Sequence, residues 1–189
     1  MSANTINRPM PLEIINKILA ALTIISQIFI VAGFLYFVLS RKDKEKPIVK
    51  FFGQNGIFFA FIVALVATIA SLFYSEIAGF EPCKLCWFQR ILMYPQVIML
   101  GMALLKKDYK IADYGLVLAA MGGFFSFYHG YIYYGGSSIL PCSASGLAAS
   151  CAARYVFEFG FVTIPLMSLT TFVLVFSFLW LNRFYHQKT

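Results

Sequence analysis

Charged residues are scarce in this sequence. Only 12% of its 189 residues are Asp, Glu, Lys or Arg, whereas 60% are hydrophobic, and the mean hydropathy is +0.78. A soluble domain of this size cannot bury so much apolar surface, so the composition indicates an integral membrane protein.

The sequence also lacks a long basic run, an internal repeat and a low-complexity segment. The formal net charge is +7. In a membrane protein, such an excess first indicates residues that anchor cytoplasmic loops, not a surface for nucleic acid. We therefore expect a membrane lipid environment and no nucleic-acid partner.

Five apolar segments are long enough to cross a membrane as helices: residues 18–39, 56–80, 87–105, 111–134 and 161–181. A signal peptide is the alternative for the first, but the segment is too long for an h-region and no small-residue cleavage site follows. We expect Pro82 to close the second span and Pro95 to kink the third. The predicted fold class is all-α, with a four-helix transmembrane bundle plus one extra N-terminal transmembrane helix.

This pattern divides the chain into two predicted parts. Residues 1–54 hold the N-terminal helix and a basic cytoplasmic loop, and residues 55–189 hold the four-helix membrane domain. Because the first span carries no catalytic residue, we expect removal of residues 1–40 to spare the chemistry.

The basic residues predict the orientation. If the N-terminus lies outside, ten of them fall inside, namely Arg41, Lys42, Lys44, Lys46, Lys50, Lys106, Lys107, Lys110, Arg183 and Lys188. The other five, Arg8, Lys17, Lys84, Arg90 and Arg154, fall outside or at the outer interface. This bias follows the positive-inside rule. It places all four cysteines on the non-cytoplasmic side, where disulfides form and persist.

Cys83 and Cys86 form a C-x-x-C pair between two spans. Such a pair can close a disulfide or hold a metal ion. We expect Cys86 in the first turn of the following helix, where unpaired amides and the helix dipole favour a thiolate. Arg90, four residues later, adds a positive charge on the same face. A snorkelling interfacial arginine is the alternative interpretation of Arg90.

Cys142 and Cys151 form the second pair, with eight residues between them that include Gly146 and other small side chains. A loop of this kind can close a disulfide and move. Two alternatives remain open: a static staple of the loop, and a four-thiolate zinc site shared with the first pair. The C-x8-C spacing is not the usual half of a zinc site.

Two further titratable residues lie near the outer ends of spans. His129 is a packing residue or a contact for a bound oxidant. Glu76 is a functional candidate because carboxylates within membranes are costly, and we rank it below His129.

Several of these residues resemble a known protein family. Residues 82–90, PCKLCWFQR, resemble the P-C-x-L-C signature with a following arginine of the DsbB/BdbC disulfide bond formation proteins. The second cysteine pair, the stretch from Cys151 to Arg154 and the Ile164-Pro165 step are similar to that family as well. The resemblance covers about residue 56 to the C-terminus.

The resemblance implies a redox-active quinone reductase of the bacterial inner membrane that reoxidises a thioredoxin-fold, DsbA-like thiol oxidase outside the cytoplasm. It implies ubiquinone or menaquinone as cofactor. Cys83 and Cys86 resemble the quinone-linked pair, with Cys86 facing the quinone and Arg90 beside it. Cys142 matches the cysteine that forms a mixed disulfide with the partner, and Cys151 matches its companion.

This chain departs from the family in its extra N-terminal span and in the close spacing of its second pair. A vitamin K epoxide reductase-like protein also pairs a membrane C-x-x-C with a quinone, but the order of its cysteines fits less well. The alternative from another class is a non-enzymatic membrane protein that binds metal through four cysteines.

Overall fold

The computed structural model describes residues 10–39, 47–137, 151 and 155–186. Within these ranges the chain forms six α-helices and one small hairpin. The helices are α1 (Met10–Leu39), α2 (Pro47–Gln54), α3 (Gly56–Leu72), α4 (Lys84–Lys106), α5 (Ile111–Tyr133) and α6 (Ile164–His186). A π-helical turn (Phe73–Ile77) extends α3, and the strands are β1 (Phe157–Glu158) and β2 (Val162–Thr163).

Five of these helices are long and apolar enough to cross a membrane, and they are α1, α3 with its π-helical turn, α4, α5 and α6. The predicted all-α membrane fold with an extra N-terminal span is therefore confirmed. The division at residues 54 and 55 stays a prediction.

The second span ends earlier than we expected. The π-helical turn finishes at Ile77, before Pro82, and Gly79 adopts a positive φ of 66° that leads the chain out of the helix. Phe80 to Pro82 then approach the next helix without helical structure. Pro95 lies within α4 and does not end it.

Two elements were missing from the sequence prediction. The α2 helix occupies part of the expected basic loop, with a proline at its first position, where the missing amide hydrogen costs nothing. It is held against the end of α6, because the Asn182 Nδ2 donates to the Gly53 carbonyl at 2.7 Å. The β1–β2 hairpin turns at Phe159 and Gly160, both with positive φ, and delays the start of α6 to Ile164.

The core lies among α3, α4, α5 and α6, and small residues let α5 and α6 approach closely. Gly122 faces the ring of Phe172 so closely that a Cβ there would overlap it. One turn further, the Ser126 Oγ lies 3.0 Å from the Ser168 Oγ and donates to the Gly122 carbonyl. This stretch of α5 therefore forms a small-residue face that packs against α6.

The extra helix α1 packs mainly along α6. The Gln27 Nε2 donates to the Thr170 Oγ1 at 3.2 Å. Near the other end of the membrane span, the ring of Phe37 packs edge-on against Trp180, with 5.2 Å between centroids. The remaining surface of α1 is mostly apolar and exposed, as expected for a helix that faces lipid.

Candidate active site

The two cysteines of the C-x-x-C pair meet at the start of α4. Cys83 is the residue that caps the helix, and its Sγ accepts a hydrogen bond from the Cys86 amide at 3.4 Å. The capping geometry turns both side chains to the same side, so the two Sγ atoms lie 3.1 Å apart. Both are free thiols in this structure, close enough to form a disulfide with a small displacement.

His129 joins this pair from α5. Its Nε2 lies 3.2 Å from the carbonyl oxygen of Cys151 and 3.8 Å from the Cys83 Sγ, and its Nδ1 lies 3.2 Å from the Gln89 Nε2. A carbonyl can only accept, so Nε2 carries the hydrogen. In the neutral ring Nδ1 then accepts from the Gln89 amide, which fixes the tautomer. The Nε2–H therefore faces both Cys151 and the Cys83 sulfur.

These contacts favour a negative charge on the Cys83 sulfur. The hydrogen bond with the Cys86 thiol lowers the pKa of the Cys83 thiol below its ordinary value; burial opposes this, and the His129 contact adds to the lowering. We expected the thiolate at Cys86, which stays a prediction, whereas the contacts of the site favour it at Cys83. The physical reason is the capping position, where one sulfur accepts from an amide, a thiol and an imidazole together.

Arg90 is tied to the neighbouring helix. Its Nε and Nη2 donate to the Oγ and the carbonyl oxygen of Ser71 on α3, each at 3.1 Å. The Tyr94 hydroxyl donates to the same Oγ at 3.3 Å, and the guanidinium lies 5.5 Å from the centroid of the Trp87 ring. The side chain therefore points into the bundle, not away from it as a snorkelling arginine would. Its predicted role toward a quinone stays a prediction.

A cavity of about 330 Å³ connects these residues. Its walls include every described member of the predicted site, namely Cys83, Cys86, Arg90, His129 and Cys151. Aliphatic side chains of α3 and α6, among them Val66 and Leu174, line much of the remainder. The volume falls within the range of small-molecule pockets, roughly 300–1,000 Å³.

Three stacked aromatic rings line the cavity beside the cysteines. Tyr74 stacks on Phe80 with 5.6 Å between ring centroids, and Phe80 stacks on Tyr155 at 4.7 Å. The stack links the π-helical turn to the chain that follows Cys151. It was not predicted, because Tyr155 is distant in sequence from the other two rings and meets them only in the fold.

The N-terminal helix also reaches the cavity. Leu19, Leu22, Thr23 and Ser26 of α1 all line it. The expectation that removal of residues 1–40 spares the chemistry stays a prediction.

The remaining candidates are located as follows. Cys151 is buried and disulfide-bonded, and Cys142 and Arg154 lie outside the described residues. Glu76 is exposed in the π-helical turn, accepts a hydrogen bond from the Ser75 hydroxyl, and does not line the cavity.

Two residues of the site were missed by sequence reasoning. Gln89 and Ser71 are polar side chains within apolar spans, and each positions a predicted site residue. The signal was available: Gln89 lies three residues after Cys86, on the same face of the helix.

The family described as "Disulfide bond formation protein DsbB" matches residues 54–182 of this sequence. The chain belongs to this family. Helix α1 precedes the matched residues. The family gives this chain an oxidoreductase role in protein disulfide bond formation, carried out by a membrane protein.

Individual relatives agree with this assignment. "Probable disulfide formation protein C 1" of Bacillus cereus is 46% identical over 125 residues, which cover 65% of this chain and 87% of that protein. "Disulfide bond formation protein C" of Bacillus subtilis is 43% identical over 136 residues, which cover 69% of this chain and 96% of that protein. No solved structure matches this chain.

Proposed function

We propose that this protein oxidises the reduced thiols of an extracytoplasmic, thioredoxin-fold thiol oxidase and passes the electrons to a membrane quinone. The observation that carries the proposal is the shared cavity. The free thiols of Cys83 and Cys86, the Arg90 guanidinium and the residue Cys151 all line one largely apolar space within the helices.

Two electrons pass along this path in three steps, of which the first two are thiol–disulfide exchanges. A thiolate of the partner attacks Cys142 of the Cys142–Cys151 disulfide, and the partner leaves oxidised after its second thiol resolves the mixed disulfide. The released dithiol then reduces the Cys83–Cys86 disulfide in the same way. Cys83 and Cys86 re-form their disulfide when two electrons and two protons leave to the quinone.

The residues around the cavity suit a quinone. Aliphatic walls accept an apolar ring and tail, and a guanidinium is a fixed donor for a carbonyl oxygen that gains electron density. When bound, the quinone supplies a two-electron oxidant dissolved in the lipid. Arg90, Cys86 and His129 are the residues that we expect to contact it. The described contacts of His129 are to Cys83, Gln89 and Cys151, so its contact with the quinone rests on the proposal alone.

The arrangement of the bundle supports an outward orientation of the site. Cys83, His129 and Cys151 lie together at one end, and the beginning of α1 reaches the same end, where Asn16 Oδ1 accepts a hydrogen bond from the Tyr74 hydroxyl at 3.0 Å. The opposite end carries α2 and the basic residues Lys106, Lys107, Lys110 and Arg183. With the positive-inside rule, this favours a bacterial inner membrane protein with its cysteines on the extracytoplasmic side.

The decisive experiment combines purified full-length protein in lipid nanodiscs, a reduced thioredoxin-fold oxidase from the same source, and a soluble quinone. We expect quinone reduction that requires all four cysteines. A partner that lacks its resolving cysteine should be trapped on Cys142 when its thiolate attacks the Cys142–Cys151 disulfide. In Cys151→Ala that disulfide is absent, so Cys142 must first form a mixed disulfide by attacking the Cys83–Cys86 disulfide, and the partner thiolate then attacks the Cys142 sulfur of that bond. The adduct should accumulate in Cys151→Ala, because Cys151 can no longer displace the partner.

Cys142→Ala is the matched control for the two halves of the path. It should abolish the adduct, yet the Cys83–Cys86 pair should still be reoxidised by quinone after chemical reduction. A wild-type mixed disulfide mapped to Cys83 would reject this order and leave the outer pair as a staple of the loop.

A second candidate function is metal binding, because a sulfur of Cys83, a sulfur of Cys86 and a nitrogen of His129 lie within 4.8 Å of one another. Cys151 is disulfide-bonded and so is not available as a fourth thiolate in this structure. Metal analysis of protein purified without chelator separates the two functions. Stoichiometric zinc together with no quinone reduction would favour the metal site.

A further inference from the structure

We propose that α1 forms one wall of the quinone site, so that Ser26 and its neighbours on this helix contact the bound quinone. The inference rests on the proposed quinone reduction and extends it to a helix that lies outside the family match at residues 54–182. It assigns a function to the extra span that distinguishes this chain from a four-helix protein.

The first observation is the pattern of contacts along α1. The residues that line the cavity are Leu19, Leu22, Thr23 and Ser26. Their spacing of three, four and seven residues places them on one face of a helix. A single continuous face of α1 therefore borders the same space as Cys86 and Arg90.

The second observation is the way in which this face is held. Two hydrogen bonds lie just before and just after the lining stretch: Tyr74 to Asn16 at 3.0 Å, and Gln27 to Thr170 at 3.2 Å. Asn16 is fully buried. Hydrogen bonds between polar side chains of neighbouring helices help to fix the relative position of the helices in a membrane. Helix α1 is thus held at both ends of its lining stretch, by a bond to the π-helical turn and by a bond to α6.

The third observation is the position of α1 relative to the bundle. Residues of α3, such as Val66 and Ser71, and residues of α6, such as Thr171 and Leu174, form other walls of the cavity. Helix α1 packs mainly along α6, and its lining residues share the cavity with those of α3 and α6, so the three helices enclose the space together. A quinone bound in this cavity would therefore lie against α1 as well as beside the thiols.

The test uses the full-length protein in nanodiscs and a photoreactive quinone. After illumination, mass spectrometry should find the label on the α1 peptide that contains Ser26, and excess unlabelled quinone should remove that label. Label that the competitor removes only from α3 to α6 would overturn the inference. This readout needs neither turnover nor a variant.

A pair of variants gives a second readout. Ser26→Phe should fill the cavity and raise both the dissociation constant and the KM for quinone by roughly tenfold, while the KM for the reduced partner stays unchanged. Ile25→Phe is the matched control, because Ile25 is the preceding residue and is 61% exposed. Equal quinone affinities in the two variants would contradict the inference.

The outcomes also separate this inference from the proposed function. If the wild-type protein does not reduce quinone, the proposed function fails. If the wild-type protein reduces quinone but α1 carries no competable label and Ser26→Phe behaves like Ile25→Phe, only the role of α1 fails. If Ser26→Phe does not fold, the labelling of the wild-type protein decides.

Discussion

Arg90 on α4 donates two hydrogen bonds to Ser71 on α3, one to its hydroxyl and one to its main-chain carbonyl, both at 3.1 Å. The guanidinium is therefore fixed beside the cavity by a helix other than its own. A guanidinium holds its donors in a rigid fork, which suits it to both oxygens at once.

The first prediction concerns this fork. Arg90→Ala should raise the KM for quinone, lower the turnover, or both, because a charge-assisted interaction of about 1–3 kcal/mol is lost. Arg90→Lys should show an intermediate defect, because it keeps the charge but cannot reproduce both bonds to Ser71. Arg183→Ala, at the opposite end of the bundle, is the control. Wild-type kinetics in Arg90→Ala would restore the interpretation as an interfacial anchor.

The second prediction concerns the pH dependence of Cys83. Its lowered pKa means that the thiolate persists as the pH falls below the ordinary thiol value of about 8.5. The alkylation rate of reduced protein at Cys83 should therefore change little from about pH 8 to about pH 6, whereas an ordinary thiol loses about tenfold per pH unit over this range.

Cys86→Ala provides the matched variant, because it removes the largest cause of the lowered pKa. The pKa of Cys83 should rise, and its alkylation should slow as the pH falls. Quantitative mass spectrometry of the labelled peptide measures both proteins. Identical pH profiles would show that the Cys86 contact does not hold the charge.

The third prediction concerns the Gln89 amide. Gln89→Glu replaces a donor with an acceptor, so His129 Nδ1 takes up the hydrogen and, in the neutral ring, Nε2 loses it. The contact from Nε2 to Cys83 is then lost as a donor, and the reactivity of the Cys83 thiolate should change. Gln89→Leu removes the Nδ1 contact alone and should have a smaller effect. The alkylation rate of Cys83 and the turnover should be measured in all three proteins. Gln89→Leu should differ less from the wild type than Gln89→Glu does.

The fourth prediction concerns stability. Gly122→Ala places a Cβ against the Phe172 ring and should destabilise the bundle by about 1–3 kcal/mol, the usual cost of overpacking. Gly123→Ala is the control at the next position, because its Cβ would lie at an ordinary 3.9 Å from Phe172. Unfolding of the two variants in detergent compares them directly. Equal stabilities would show that α5 and α6 adjust without cost.

The fifth prediction concerns orientation. A membrane-impermeant thiol reagent should label the reduced cysteines in intact spheroplasts, slowly at Cys83 because its side chain is buried. Labelling that appears only after lysis would reverse the proposed sidedness.

The membrane spans and the reactive pair could be predicted from the sequence because their signals are local. Twenty apolar residues identify a span wherever it packs, and a C-x-x-C pair carries its own spacing. The position of Arg90 beside Cys86 could also be predicted, because residues four positions apart share one face of a helix.

Other features depend on contacts between distant segments. The approach of His129 to Cys83 joins residues 46 positions apart, and the bond between Asn16 and Tyr74 joins residues 58 positions apart. A single sequence does not show which faces of apolar helices meet, so the place of α1 at the cavity could not be predicted. The hairpin before α6 was missed because two-residue strands leave almost no periodic pattern.

The contact between His129 and Cys151 uses the main-chain oxygen of Cys151, not its sulfur. Any amino acid at that position presents the same oxygen, so replacing Cys151 changes the thiol chemistry and leaves the imidazole with its acceptor. The Cys151→Ala protein used to capture a partner should therefore keep the first cysteine pair in its native electrostatic setting. The captured complex would then be a faithful starting point for solving the structure of the two proteins together.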